Sequence, residues 1–101
     1  MVYFCFYIYP SIYNDYNYFD RSIAKALLND FSSAIEDLSK AIELNPNDAI
    51  YYSNRAAYKA NLKDLTGAIE DLSKAIEINP NNAEYYYKRA FNKEDLENYS
   101  G

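Results

Sequence analysis

Apolar residues recur at helical spacing in two identical stretches of this chain. The phrase AIEDLSKAIE stands at residues 34–43 and again at residues 68–77. In each copy the apolar residues fall at i, i+1, i+4, i+7 and i+8, which form one stripe on an amphipathic helix. On the opposite side of the first copy, Glu36 and Lys40 are predicted to form an i,i+4 ion pair. The pattern predicts two equivalent helices, and the packing stripe of the first contains Ala34, Ile35, Leu38, Ala41 and Ile42.

Proline and capping residues mark the ends of these helices. The sequences NPND and NPNN place Pro46 and Pro80 just after each copy, where a proline ends a helix. Short polar side chains that accept hydrogen bonds from backbone N–H groups stand where the next helices are expected to begin. The predicted N-caps are Asp30, Asp48, Asp64 and Asn82.

These signals repeat every 34 residues, as the positions of Pro46 and Pro80 show. A repeat of this length is typical of a helix-turn-helix solenoid. We therefore predict an all-α fold, an α-solenoid of about two and a half repeats. The predicted units are an apolar aromatic N-terminal segment (1–14), repeat 1 (15–48), repeat 2 (49–82) and, at 83–101, the first helix of a third repeat or a capping helix.

One side of the first helix of each repeat is nearly the same in all three copies. Its positions follow the spacing i, i+3, i+4, i+7 and i+10, which keeps them on one side of a helix. Because a solenoid needs a similar core in every repeat, we expect this side to hold the repeats together. It contains Tyr18, Tyr52 and Tyr86; Arg21, Arg55 and Arg89; Ser22, Ala56 and Ala90; Lys25, Lys59 and Lys93; and Leu28, Leu62 and Leu96.

The opposite side of the first helix differs in every copy. The outward concave surface of a solenoid is free to vary, so we expect this face to form a binding groove. It mixes aromatic and polar side chains, which suits an extended peptide or a partner helix. The alternative is that exposed positions drift without functional consequence. The candidate groove residues are Tyr16, Phe19, Asp20, Ile23, Ile50, Ser53, Asn54, Ala57, Glu84, Tyr87, Lys88 and Phe91; Leu27, Asn61 and Asp95 vary in the same way.

The recurring residues resemble the tetratricopeptide repeat. The family has an aromatic residue, a small residue, alanine, a large apolar residue, alanine and proline in this order. The matching residues are Tyr18, Ser22, Ala34, Leu38, Ala41 and Pro46 in the first unit and Tyr52, Ala56, Ala68, Leu72, Ala75 and Pro80 in the second.

The resemblance covers residues 15–101 and has two departures. Arg55 stands where the family usually has leucine, and Lys59 stands where it usually has tyrosine. Both recur in all three copies, which indicates a habit of a subfamily. The resemblance implies antiparallel helix pairs stacked into a right-handed superhelix, with the first helices lining the groove of a protein-binding scaffold.

A more specific resemblance provides an alternative function. The sequence YYSNRAA at 51–57 is similar to the middle repeat of co-chaperones that clamp the C-terminal carboxylate of heat-shock chaperones, with Asn54 matching a clamp asparagine. Charge-assisted hydrogen bonds would hold the acidic tail. However, Phe19 and Ile23 stand where the first repeat would supply lysine and asparagine. Glu84 replaces a lysine of the third repeat, and Lys88 keeps a cation where arginine is expected.

The composition excludes most kinds of chemistry. The 101 residues carry a net charge of −5, which argues against a nucleic-acid partner. The chain contains no histidine, one cysteine and two glycines. It therefore lacks the residues for a Ser-His-Asp or Cys-His site, a zinc site or a glycine-rich phosphate loop. We expect no enzymatic activity, no cofactor and no metal.

The N-terminal sequence VYFCFYIY, at residues 2–9, is strongly apolar but is followed by Pro10. It is shorter than the roughly 20 residues of a membrane-spanning helix, and it lacks the basic flank and cleavage site of a secretory signal. We expect no membrane span and a cytoplasmic protein. The segment is either a hydrophobic cap on the first helix or a stretch foreign to the domain.

The repeat count leaves several arrangements open. Two complete repeats are fewer than the roughly three that a solenoid needs for stability. The last helix acts as a cap, the chain is a fragment of a longer array, or two chains self-associate through exposed repeat edges. Two alternatives to an interaction module remain. The chain is a surviving piece of an enzyme or regulatory subunit, or it is a purely structural spacer.

Overall fold

A computed structural model of the protein describes residues 14–100, and all its regular structure there is helical. This all-α helical repeat confirms the predicted fold class. Each helix packs on its neighbours along the chain. The prediction for the N-terminal segment falls almost wholly on residues 1–13, outside the described residues. The helices are α1 (Asp15–Leu27), α2 (Phe31–Leu44), α3 (Ala49–Asn61), α4 (Leu65–Ile78) and α5 (Ala83–Ser100).

The four predicted N-caps are confirmed. The Asp30 and Asp64 carboxylates accept hydrogen bonds from backbone N–H groups in the first turns of α2 and α4, at 3.3 and 3.0 Å. Asp48 does the same for α3 at 3.0 Å, and Asn82 for α5 at 2.9 Å. Each cap satisfies a donor that has no partner inside the helix. The start of every predicted helix is thus encoded by a local polar residue.

The turn inside each repeat has the same backbone geometry in both copies. Asn29 and Lys63 adopt left-handed conformations, with φ of 63° and 68°. In each turn the N–H groups of this residue and of the next one, Asp30 or Asp64, donate to carbonyls of the preceding helix at 2.9 to 3.0 Å. This pair of hydrogen bonds is a Schellman motif, which closes the helix end and reverses the chain.

The repeated apolar stripe forms the core. Ala34, Leu38 and Ala41 of α2 are completely buried, and their counterparts in α4 are at most 1% exposed. Two further residues are buried against these stripes, Tyr51 of α3 and Tyr85 of α5, at 3% and 4% exposure. The small alanines let neighbouring helices approach, while leucine and tyrosine fill the space between them.

The recurring arginine and lysine hold a buried carboxylate in each complete repeat. Arg55 donates two hydrogen bonds of 2.8 Å to Asp71, and Lys59 lies 3.1 Å from the same carboxylate. In the first repeat, Arg21 and Lys25 hold Asp37 with distances of 2.8 and 2.9 Å. The two departures from the family pattern therefore join the first helix of a repeat to its second helix.

Two smaller expectations from the sequence were wrong. Lys40 does not pair with Glu36, because its Nζ lies 3.8 Å from Glu43, one turn further along α2. Two of the three recurring leucines do not belong to the core, since Leu28 is 80% and Leu62 48% exposed. Both leucines are the C-caps of their helices. Their recurrence therefore reflects the turn and not packing.

Candidate functional site

A cleft of about 310 Å³ lies between α3 and α5. Its α3 wall is made of small residues at i, i+3, i+4 and i+7, so that one face of this helix leaves space. Leu72 of α4 contributes to its lining as well. The α3 wall contains Ser53, Ala56, Ala57 and Ala60, and the α5 wall contains Tyr87, Lys88, Phe91 and Asn92.

Two aromatic rings stand open to solvent on the α5 wall. Tyr87 is 69% and Phe91 54% exposed, and their ring centroids are 6.5 Å apart with an interplanar angle of 35°. Neighbouring aromatic rings in this tilted arrangement form a rigid apolar surface. Their exposure costs solvation free energy, and an apolar group inserted against them would recover it.

Two polar side chains in the cleft keep their hydrogen-bonding capacity. Ser53 and Asn92 are 6% and 8% exposed, and no side-chain hydrogen bond joins either to another described residue. No fully buried side-chain nitrogen or oxygen lacks a partner in this part of the chain, so these polar atoms reach the cleft surface. A bound peptide would find both a donor and acceptors here.

The charge at the cleft is nearly balanced. Lys88 is half-buried on the α5 wall, and its Nζ lies 3.4 Å from the carboxylate of Glu84 one turn earlier. A surface pair of this kind contributes little to stability, but it neutralises part of the lysine charge. The cleft therefore favours an uncharged apolar group over an isolated anion.

The predicted groove residues fall into separate places. Five of the twelve line the cleft: Ser53, Ala57, Tyr87, Lys88 and Phe91. At the α1 end, the Phe19 ring lies half-buried with its centroid 5.0 Å from that of Tyr51 and 6.4 Å from that of the exposed Tyr16. Ile50 and Glu84 line a second, wider depression near the start of α3 and α5. The remaining three, Asp20, Ile23 and Asn54, line neither space, and Asp20 is exposed while the other two are half-buried.

The groove residues predicted from the sequence do not include Ala56, Ala60 and Asn92, which also line the cleft. A signal existed for Asn92, because the equivalent positions hold Ala24 and Tyr58 and so differ in all three copies. Ala56 was expected on the scaffold side because a small residue recurs there as Ser22 and Ala90, and Ala60, with Ala26 and Glu94 at the equivalent positions, carried no prediction. The wall of a cleft between two repeats therefore combines positions that recur between the copies with positions that vary.

Residues 14–100 contain neither a membrane-spanning helix nor a cluster of metal ligands. No helix there has both the length and the hydrophobicity to cross a membrane. No group of three or more acidic, histidine or cysteine side chains is placed to hold a metal ion there.

Comparisons with known proteins give a consistent result. A family model for the TPR repeat matches residues 24–62 and 60–91. No curated protein sequence gives a significant match. Among solved structures, the first TPR of Spaghetti (RPAP3) bound to the HSP90 peptide SRMEEVD is 30% identical with a TM-score of 0.79. That match covers 83% of this chain and 67% of that one.

Two further solved structures have the same arrangement of helices. The first TPR domain of human RPAP3, solved by NMR, is 29% identical with a TM-score of 0.80, covering 85% of this chain and 68% of that one. The TPR2AB domain of yeast Sti1 in complex with pHSP90 is 30% identical with a TM-score of 0.79. It covers 85% of this chain and 33% of that one.

Proposed function

Because the chain belongs to the tetratricopeptide repeat family, we propose that it is a non-catalytic protein-interaction module that binds a peptide or partner helix in the concave groove. The observation that carries this proposal is the cleft between α3 and α5. It combines the exposed rings of Tyr87 and Phe91 with the open hydrogen-bonding groups of Ser53 and Asn92. Apolar pockets with a few polar groups are the usual form of a recognition site.

The ligand chemistry follows from these walls. One large apolar side chain of the ligand inserts between Phe91 and the alanines of α3, which contributes about 1.5 to 3 kcal/mol for a fully buried side chain. The ligand backbone accepts from or donates to Asn92, a hydrogen bond with a net value of about 1 kcal/mol. The aromatic and aliphatic contacts supply affinity, and Asn92 fixes the register of the peptide.

A carboxylate clamp is the second candidate function. One similar solved structure is bound to an HSP90 peptide and another is a complex with pHSP90, which favours it. This mode requires a cation that can bind the carboxylate of the ligand. The Nζ of Lys88 already lies 3.4 Å from the carboxylate of Glu84, which argues against the clamp. Phe19 and Ile23 supply no donor from α1. We therefore propose the apolar anchor as the main determinant of binding.

Selection of a random peptide library on the full chain tests this proposal. We expect the selected peptides to share one large apolar residue and to bind Phe91→Ala about tenfold or more weakly, from the loss of a buried apolar contact. Ala57→Trp fills the cleft and should abolish binding. The matched control is Ala90→Trp, the same substitution at an exposed alanine on the other side of α5, which should bind as the unchanged chain does.

Two results would contradict the apolar anchor. Equal binding by Ala57→Trp and the unchanged chain would place the peptide elsewhere. Peptides that share an acidic C-terminus, and that lose binding when this terminus is amidated, would establish the carboxylate clamp instead.

Three further expectations stay predictions. They are a cytoplasmic location, the absence of a nucleic-acid partner and self-association through the exposed repeat edges.

A further inference from the structure

The space between the first helices of successive repeats is filled by the chain itself at the first junction, between α1 and α3. There the Tyr58 ring packs against the buried cluster of Leu38, Ala41 and Tyr51. Its hydroxyl has the Ser22 side chain of α1 as a hydrogen-bonding partner. An aromatic ring of α3 therefore closes this junction, with its polar end on the preceding helix.

Two phenylalanine rings complete this packing. Phe19 of α1 packs against the same cluster, and its ring centroid lies 5.0 Å from that of Tyr51. The ring centroid of Phe31, at the start of α2, lies 5.9 Å from that of Tyr58. Aromatic side chains from three helices thus cover the apolar floor of the first junction.

The second junction, between α3 and α5, has shorter side chains at two of the equivalent positions. Asn92 stands 34 residues after Tyr58, and Ser53 stands 34 residues after Phe19. Both line the open cleft, together with Leu72 from the repeated stripe of α4. Each exchange replaces an aromatic ring by a short polar side chain. The cleft therefore lies where the first junction places rings of the chain itself.

Provided that the cleft is the peptide site, as proposed above, we propose that the residue it takes is a tyrosine of the partner peptide. The ring occupies the space that Tyr58 fills at the first junction, against Leu72 and the alanines of α3. Burial of the aromatic ring supplies most of the contact area. The tyrosine thus completes the second junction as the chain itself completes the first.

The hydroxyl of this tyrosine has a partner in the cleft. At the first junction that partner is Ser22, and the equivalent residue of α3 is Ala56, which has no polar group. Ser53 lies one turn before Ala56 on the same face of α3. It is 6% exposed, lines the cleft and makes no side-chain hydrogen bond within residues 14–100. Since a phenol hydroxyl both donates and accepts, it pairs with Ser53 in either direction.

The same serine discriminates against purely apolar residues. A phenylalanine or leucine in the cleft would cover the Ser53 hydroxyl without replacing its hydrogen bond to water, and an unpaired buried polar group is costly. A phenol is also uncharged at neutral pH, which suits a cleft whose lysine, Lys88, lies 3.4 Å from Glu84. The walls therefore select an aromatic ring that carries a hydroxyl group.

An NMR titration of the full chain with N-acetyl-tyrosinamide tests this proposal. N-acetyl-phenylalaninamide is the matched ligand, because it differs only by the missing hydroxyl. We expect the tyrosine derivative to bind about tenfold more tightly, since the phenylalanine derivative leaves Ser53 unpaired. For Ser53→Ala the two affinities should lie within about twofold of each other, because the partner of the hydroxyl is gone. Alanine favours helices, so this variant should keep its fold.

A variant that closes the cleft from within is the second arm of the test. Asn92→Tyr restores the residue that the first junction holds at this position, and it should abolish binding of the tyrosine derivative. The matched control is Glu97→Tyr, the same substitution at an exposed residue of α5 outside the cleft, which should bind as the unchanged chain does. The comparison of the two ligands uses the unchanged chain, so it does not depend on how either variant folds.

Two results would overturn the tyrosine alone. Equal affinities of the two derivatives for the unchanged chain would show that the cleft does not recognise the hydroxyl. A tenfold preference that persists in Ser53→Ala would show that Ser53 does not bind it.

The library-selected peptides separate this proposal from the function on which it rests. Peptides that share an aliphatic residue and are blocked by Ala57→Trp would reject the tyrosine and leave the groove function in place. Peptides that bind Ala57→Trp as well as the unchanged chain would reject both.

Discussion

The guanidinium of Arg55 binds the carboxylate of Asp71 through two 2.8 Å hydrogen bonds, and it also reaches Ser39 of the preceding repeat at 3.1 Å. One side chain thus joins the two helices of its own repeat and the second helix of the repeat before it. A bidentate arginine is suited to this because its planar fork matches a carboxylate. Leucine, which the family usually has at this position, would supply only apolar contact.

Removing this carboxylate should destabilise the fold. We expect Asp71→Asn to lower the free energy of unfolding by about 3 kcal/mol, since it leaves the half-buried cations Arg55 and Lys59 without their anion. Asp37→Asn should cost less, because the Arg21 side chain is 59% exposed whereas that of Arg55 is 18% exposed. Urea denaturation of the full chain measures both values.

The control for this experiment is Glu70→Gln, which changes an exposed carboxylate on α4. Its free energy of unfolding should lie within about 0.5 kcal/mol of the unchanged chain. Equal losses for Asp71→Asn and Glu70→Gln would show that the Arg55–Asp71 pair does not stabilise the repeat.

Acid should weaken the protein through two carboxylates. Hydrogen bonds from Arg21 lower the pKa of Asp37, and the hydrogen bond from Tyr51 lowers the pKa of Asp15. A group whose pKa is lower in the folded state stabilises fully above its unfolded value, about 3.9 for aspartate, and loses this effect as the pH falls through the folded value. The urea midpoint should therefore fall steeply below about pH 4.

A variant isolates one of these contributions. Tyr51→Phe removes the 2.6 Å hydrogen bond to Asp15, so the stability of this variant should depend less on pH in the acid range. Comparing urea midpoints at pH 7 and pH 3 measures the difference. The same acid sensitivity with and without the tyrosine hydroxyl would contradict the contribution of Asp15.

The left-handed turn residue of the second repeat offers a stabilising substitution. Lys63 has φ of 68°, a conformation that costs a side-chain-bearing residue about 1 kcal/mol. Glycine removes this cost but has greater conformational freedom in the unfolded chain, which offsets part of the gain. We therefore expect Lys63→Gly to raise the free energy of unfolding by about 0.5 kcal/mol. Thermal or urea unfolding measures the change.

The first repeat provides the matched control. Asn29 occupies the equivalent position with φ of 63°, and asparagine tolerates this conformation better than lysine. Asn29→Gly should therefore gain less than Lys63→Gly. A larger gain at Asn29 would contradict the backbone explanation.

The sequence predicted the features that depend on local spacing. Helix starts at Asp30 and Asp64 follow from capping chemistry, and the buried stripe containing Leu38 and Leu72 follows from the helical period. These features need only neighbours along one helix. The 34-residue period also predicted that the two units are equivalent, without any three-dimensional information.

Features that join two helices were harder to predict. The sequence shows that arginine and lysine recur, but their partner Asp71 lies sixteen residues from Arg55 and on another helix. The burial of Tyr51 and the position of Asn92 in the cleft also depend on how neighbouring repeats pack. The angle at which two helices cross decides such contacts, and the periodicity of a single helix does not reveal that angle.

An NMR titration of the full chain with a library-selected peptide tests the central claim, that the cleft between α3 and α5 is the binding site. We expect the largest chemical-shift changes at the backbone amides of Ala57, Ala60, Phe91 and Asn92, with little change at Glu70 on the exposed side of α4. Largest changes on α4, with the cleft amides unaffected, would contradict it.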